Sequence, residues 1–143
     1  MTMPRVLRRA ASRLGRRGAF LSCYGSIWVL YGAGQLGMPQ PDQRGLQPLL
    51  ALVPLGVWAW CWITAGTIAL ATAWADTGED WPGFVALSAI VLPWTVSYLG
   101  AWAIGEYSRG WIAAAVWAVA GTSVLVVAGW PEPPRRKEIG ARP

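Results

Sequence analysis

Few side chains in this sequence are equipped for chemistry. It contains no histidine and only two cysteines, Cys23 and Cys61. The acidic groups available near its apolar runs are Asp76, Glu79, Asp80 and Glu106. A haem or copper centre in a membrane wants imidazole ligands, and a thiol oxidoreductase wants a C-x-x-C pair. Neither pattern is present. Cys23 and Cys61 fall in different apolar runs, where each reads as a small filler at a different depth, so no bridge is expected between them. An ionisable group inside an apolar run would be a functional site by default. All four carboxylates lie between the runs instead, which argues against proton-coupled small multidrug carriers. Glu106, three residues before Arg109, reads as half of an interfacial pair. There is no glycine-rich phosphate loop and no nucleophile with a base. The sequence predicts no catalytic residue, no metal site, no cofactor and no enzymatic activity.

What remains is a chain built for lipid. Of 143 residues, 55% are hydrophobic and 13% charged, against roughly 25% charged in ordinary soluble domains. The charges are clustered: 24 uncharged residues separate Arg17 from Asp42, 31 separate Arg44 from Asp76, 25 separate Asp80 from Glu106, and 22 separate Arg109 from Glu132. About 20 apolar residues in a helix cross a hydrocarbon core of about 30 Å. The runs are apolar nearly all round, unlike the helices of a soluble bundle, and they do not alternate as barrel strands do. The expected fold is all-α, with four transmembrane helices at 19–37, 50–74, 83–104 and 110–130. Residues 1–18 form a basic N-terminal segment, 19–130 the helical bundle, and 131–143 a polar tail rich in proline and arginine.

The basic segment carries Arg5, Arg8, Arg9, Arg13, Arg16 and Arg17. Cys23 follows Arg17 too closely for a lipoprotein signal, and the run ending in YGAGQLG is a poor cleavage site. The segment reads better as an anchor on the inner face. Leu7, Ala10, Ala11 and Leu14 share helical spacing, so it is either an amphipathic helix lying on anionic headgroups or a basic tail that sets topology. Lipid headgroups explain it better than nucleic acid. Ten basic residues flank the outer ends of the first and fourth spans, and only Arg44 and Arg109 lie in the first and third loops. The bias places both termini in the cytoplasm, and one lysine against eleven arginines, with heavy use of Ala, Gly, Pro, Val and Trp, reads as a GC-rich coding sequence and so a bacterial or phage source. Trp74, Trp81, Trp111 and Trp130 fall at predicted interfaces, where an indole can bury its ring and wet its N–H. Trp58 and Trp62 share a helix face and Trp60 points away; these deeper rings read as packing.

Small residues spaced four apart read as helix-packing faces: Ala65, Ala69 and Ala73; Ala89, Pro93, Ser97, Ala101 and Gly105; Ala114, Ala118 and Thr122. On the first helix Ser22, Ser26 and Gly34 play this part. These faces serve association within one chain or between copies. Pro93 predicts a kink, its freed carbonyl met by Thr95, Ser97 or a neighbouring helix. Scattered hydroxyls, from Thr64 and Thr67 to Thr122 and Ser123, leave a mildly polar interior as a further possibility. WITAGTIAL (62–70) and WAVAGTSVL (117–125) share W-x-x-A-G-T-x-x-L, either a parallel duplication or coincidence in a biased composition.

The stretches RRGAF, PLGVWAWCWITAG, GEYSRGW and VLVVAGWPEPPR resemble, in layout and composition, the small multi-span membrane proteins of actinobacteria and their tailed phages, over about residues 16–135. Some of those proteins are holins, short multi-span proteins that oligomerise in the inner membrane and open lesions for lytic enzymes. The resemblance implies a non-enzymatic membrane protein and no catalytic residue. The long basic N-terminus and the many tryptophans depart from the holin pattern. An accessory protein that holds a membrane partner, and a small channel or carrier for an uncharged solute, are the alternative expectations.

Overall fold

The computed structural model describes residues 5–38, 43–76 and 78–131, and side chains from residue 14 onward. Among the described residues the regular structure is entirely helical. The helices are α1 (Arg5–Gly37), the short α2 (Gln47–Leu50), α3 (Leu55–Thr72), α4 (Trp81–Ala103) and α5 (Gly110–Ala128), with a 3₁₀ turn at Arg44–Leu46 before α2. Three of these, α3, α4 and α5, are long and apolar enough to cross a membrane. The first predicted span falls within α1, which does not reach that apolarity.

Local chemistry sets the boundaries. Gly15 breaks α1 at φ 64°, ψ 178°, a left-handed conformation that costs glycine little. The helix is kinked there, between the basic segment up to Leu14 and the stretch that packs. Pro54 caps the start of α3, and Pro82 lies in the first turn of α4, where a missing N–H costs nothing. The second predicted span therefore begins at Leu55, with residues 50–54 forming the exit from α2. Gly105 ends α4 at φ 79°, so it belongs to a turn. Pro93 sits inside a continuous α4. Thr95 Oγ1 donates to the Val91 carbonyl and Ser97 Oγ to that of Gly45, so neither hydroxyl serves the Ala89 carbonyl that Pro93 leaves without its usual donor.

The long helices pack up-and-down: α1 on α3, α3 on α4, α4 on α5. Their buried positions follow a 3-4 alternation. On α1 these are Gly18, Leu21, Gly25, Trp28, Gly32 and Gln35. On α3 the matching series is Ala59, Trp62, Gly66, Ala69 and Ala73. That spacing is the seam of a left-handed coiled coil. The smallest residues recur every seventh position on both helices and meet head to tail. A Cβ on Gly25 would lie 2.8 Å from the Gly66 carbonyl oxygen, and one on Gly32 would lie 2.6 Å from that of Ala59. Gly18 closes on Ala73 in the same way. The backbones of α1 and α3 are in contact along this line.

Candidate functional site

Arg16, Arg17, Asp76, Glu79 and Asp80 gather at one end of the bundle, and Arg44, Glu106 and Arg109 lie at the other. At the first of these ends the packed part of α1 begins, α3 and α5 end, and α4 starts. Arg17 Nε donates to Asp80 Oδ2 at 2.7 Å and Nη2 to Oδ1 at 2.9 Å. Nη1 donates to the carbonyls of Ala128 and Trp130 at 2.6 and 3.2 Å. The Arg17 and Asp80 side chains are only 11% and 5% exposed. The guanidinium also lies over the Phe84 ring, 4.8 Å from its centroid. One side chain thus joins the start of α4 to the last turn of α5, where carbonyls lack helical donors and attract a cation. Its planar fork suits this task, since it serves a carboxylate bidentately and still has donors to spare. Arg16 stays at the surface, over the Trp130 ring at 4.9 Å.

The predicted interfacial arginines therefore separate. Arg16 is exposed and Arg17 turns inward, while the side chains of Arg5, Arg8, Arg9 and Arg13 and the tail 132–143 lie outside the described residues. Trp74, Trp81 and Trp130 stand exposed at the clamped end, and Trp111 is exposed at the opposite one. Glu106 and Arg109, both exposed, do not pair.

At mid-depth the interior is aromatic. Trp62, fully buried, is its hub. Its ring meets Trp28 at 5.0 Å, Tyr31 at 4.8 Å, Trp94 at 5.2 Å and Trp117 at 5.3 Å. Most of these are edge-to-face contacts, the arrangement favoured by ring quadrupoles. Trp58 stacks its edge on Trp94 at 5.3 Å, whereas Trp60 faces outward. The indole nitrogens of Trp28, Trp58 and Trp62 have no conventional acceptor; a neighbouring ring face is the acceptor this packing offers. Tyr24 and Ser123 share a 2.7 Å hydrogen bond, and Trp94 Nε1 donates to the Tyr31 hydroxyl at 3.3 Å. These tie α1 to α5 and α4.

Hydroxyls expected to line a polar interior do not gather there. Thr64, Thr67 and Thr122 are exposed, and Thr67, Thr95 and Ser123 each donate to a carbonyl of their own helix. Ser97 is buried and holds Gly45, which lies flat against the Tyr98 ring, so the 3₁₀ turn is pinned to α4.

The four-spaced faces also divide. Ala65, Ala69, Ala73, Ser97, Ala101 and Ala114 are buried and Pro93 is half-buried. Ala89, Gly105, Ala118 and Thr122 are exposed. A step of four advances about 40° round a helix, so such a stripe winds off the contact face within three or four steps. A step of seven drifts only about 20°. The glycine line at 18, 25 and 32 was the missed signal, and its spacing is visible in the sequence. Trp62 and Trp117 of the two similar segments meet in the core. Their glycines differ in role, since Gly66 touches the α1 backbone whereas Gly121 faces Val91 with a Cβ's worth of room.

Outside the bundle, α4 carries an apolar groove of about 710 Å³ bordered by Pro48, Leu52, Ala89, Pro93 and Gly100. Cys23 and Cys61 are free and exposed on the outer surface. Among the described residues, no three His, Cys, Asp or Glu side chains cluster as metal ligands would.

Three helices long and apolar enough to cross a membrane, exposed terminal tryptophans and an outer surface of aliphatic side chains are consistent with a multi-pass membrane protein. No family model, no curated protein and no solved structure matches the chain.

Proposed function

We propose that this is a four-span protein of a bacterial inner membrane, both termini cytoplasmic, and that it works without catalysis, by helix association in the bilayer. In the reading we favour it is holin-like: copies meet through their outer faces and permeabilise the membrane. The observation that carries this is the fate of the small residues. Those on the seam are spent inside one chain, but Ala89, Ala118 and Thr122 stand outside, and Ala89 borders the groove along α4. In lipid, helices associate where small residues permit close approach. The aromatic filling of the interior supports a path formed between copies over one through a single copy. It likewise speaks against the carrier reading. The fourth span is supported by the contact of α1 with α3 from Ala59 to Ala73. The orientation is supported by the basic N-terminal segment, which sits at the clamped end.

A second reading, an accessory protein that positions a membrane partner, is favoured by the Arg17 clamp, which suits a bundle that keeps one shape. Timed expression in a bacterial host separates the two. Abrupt depolarisation at a set time, advanced by an uncoupler and delayed or abolished by Ala89→Leu, is the holin-like result. Normal growth with the protein accumulated in the membrane overturns it and leaves the accessory role.

A further inference from the structure

We propose that α1 is a conditional span: α3, rather than its own apolarity, holds it in the bilayer. This rests on the four-span reading above. The sequence after Arg17 has the length to cross but carries Ser22, Tyr24, Ser26, Tyr31 and Gln35, and glycines at 18, 25, 32, 34 and 37. It falls short of the apolarity that α3, α4 and α5 reach. Alone in hydrocarbon, such a helix would present polar side chains and bare backbone to lipid, which is unfavourable at each position.

In the folded protein the liabilities on the packed face have partners, whereas Ser26 bonds only the Ser22 carbonyl of its own helix and Gly34 and Gly37 stay bare. Gly18, Gly25 and Gly32 press onto the α3 backbone, and a Cβ on Gly66 would lie 2.5 Å from the Gly25 carbonyl oxygen. So close an approach brings Cα–H groups against carbonyls and gives dispersion contact along the whole seam. Tyr24 bonds Ser123 of α5, Tyr31 accepts from Trp94 of α4, and Gln35 is buried and bonds the Tyr31 hydroxyl. Arg17 finds its carboxylate on Asp80 and its carbonyls at the end of α5. Apart from Tyr31, which serves Gln35 within α1, these partners lie later in the chain. Stable embedding of α1 thus waits for α3 to α5, and until then its polar groups favour the interface, continuous with the basic segment before Gly15.

The test uses full-length protein in intact bacterial cells or right-side-out and inverted vesicles, with Cys23 and Cys61 replaced by alanine. Leu30→Cys reports on α1 and Leu92→Cys on α4; both leucines are outward-facing, 71% and 62% exposed in the bundle. A water-soluble maleimide labels only a thiol that reaches water. The seam is broken from the α3 side by Gly66→Leu, which leaves the composition of α1 untouched. The expected result is that position 30 is protected in the parent and labelled at least about tenfold faster with Gly66→Leu, since the thiol then leaves hydrocarbon, while position 92 stays protected. Protection of position 30 despite Gly66→Leu overturns the proposal and leaves the four-span reading standing. Labelling of position 30 in the parent overturns both. If Gly66→Leu exposes position 92 as well, the bundle has failed as a whole, and Ser26→Leu with Gly34→Leu decides. Both sites face outward, so this pair raises the apolarity of α1 without rebuilding the seam. Renewed protection at position 30 supports the proposal, and continued labelling overturns it.

Discussion

Removing one partner of the Arg17–Asp80 pair tests the clamp quantitatively. Both side chains are nearly inaccessible, and the contact is bidentate at 2.7 and 2.9 Å. Arg17→Gln leaves a carboxylate buried with no counter-charge and frees two carbonyls at the end of α5. Breaking a buried pair from one side costs about 3–5 kcal/mol, because the remaining charge loses solvation without compensation. Asp80→Asn strands the guanidinium, but its hydrogen bonds to Ala128 and Trp130 survive, so the loss is smaller, about 2 kcal/mol for a charged group deprived of one partner. The double variant removes both charges together and recovers much of the loss, giving a coupling energy of about 1–3 kcal/mol. The assay is denaturant unfolding of the purified protein in micelles, followed by tryptophan fluorescence, across all four members of the cycle. Single-variant costs below about 1 kcal/mol, the range of exposed ion pairs, or strict additivity would refute the clamp.

Further expectations follow from the seam and the core. Trp62→Ala, at the hub of four rings, lowers stability by about 3–5 kcal/mol in the same titration, whereas Trp60→Ala, on the outer surface, changes it by less than about 0.5 kcal/mol. Gly25→Ala places a methyl against the Gly66 carbonyl and costs about 1–3 kcal/mol by overpacking. Gly34→Ala meets nothing within 4 Å and is stabilising by about 0.5–1 kcal/mol. Ser97→Ala removes the donor to the buried Gly45 carbonyl, a loss of about 1 kcal/mol; hydrogen exchange should then rise at residues 43–50 and stay unchanged in α5.

The apolar runs and the proline-rich breaks were legible because each is a local property. For α3, α4 and α5 the free energy of placing the run in lipid depends on its own residues, and a proline at 54 or 82 acts on its own turn. The ends of α4 and α5 accordingly fall within two residues of their expected places. The packing face was harder to see. Ala89 and Ala101 share one four-spaced stripe and face opposite ways, because which side of a uniformly apolar helix meets protein is a relation between helices. The heptad of Gly18, Gly25 and Gly32 was present in the sequence, but its weight comes from the matching series at Ala59, Gly66 and Ala73 on a helix running the other way.

The sequence by itself determined the charge-free runs of spanning length, the basic residues massed at the ends, and the tryptophans at the run boundaries. Each of these is a one-body energy of a residue or segment in its solvent. Only the tertiary structure decided the two-body terms. It turned Arg17, one of six apparently equivalent arginines, into a buried clamp, because Asp80 and the end of α5 converge on it from 63 and 111 residues away. It likewise chose Trp62 over Trp60 as the centre of the core, since three other helices supply the rings around it.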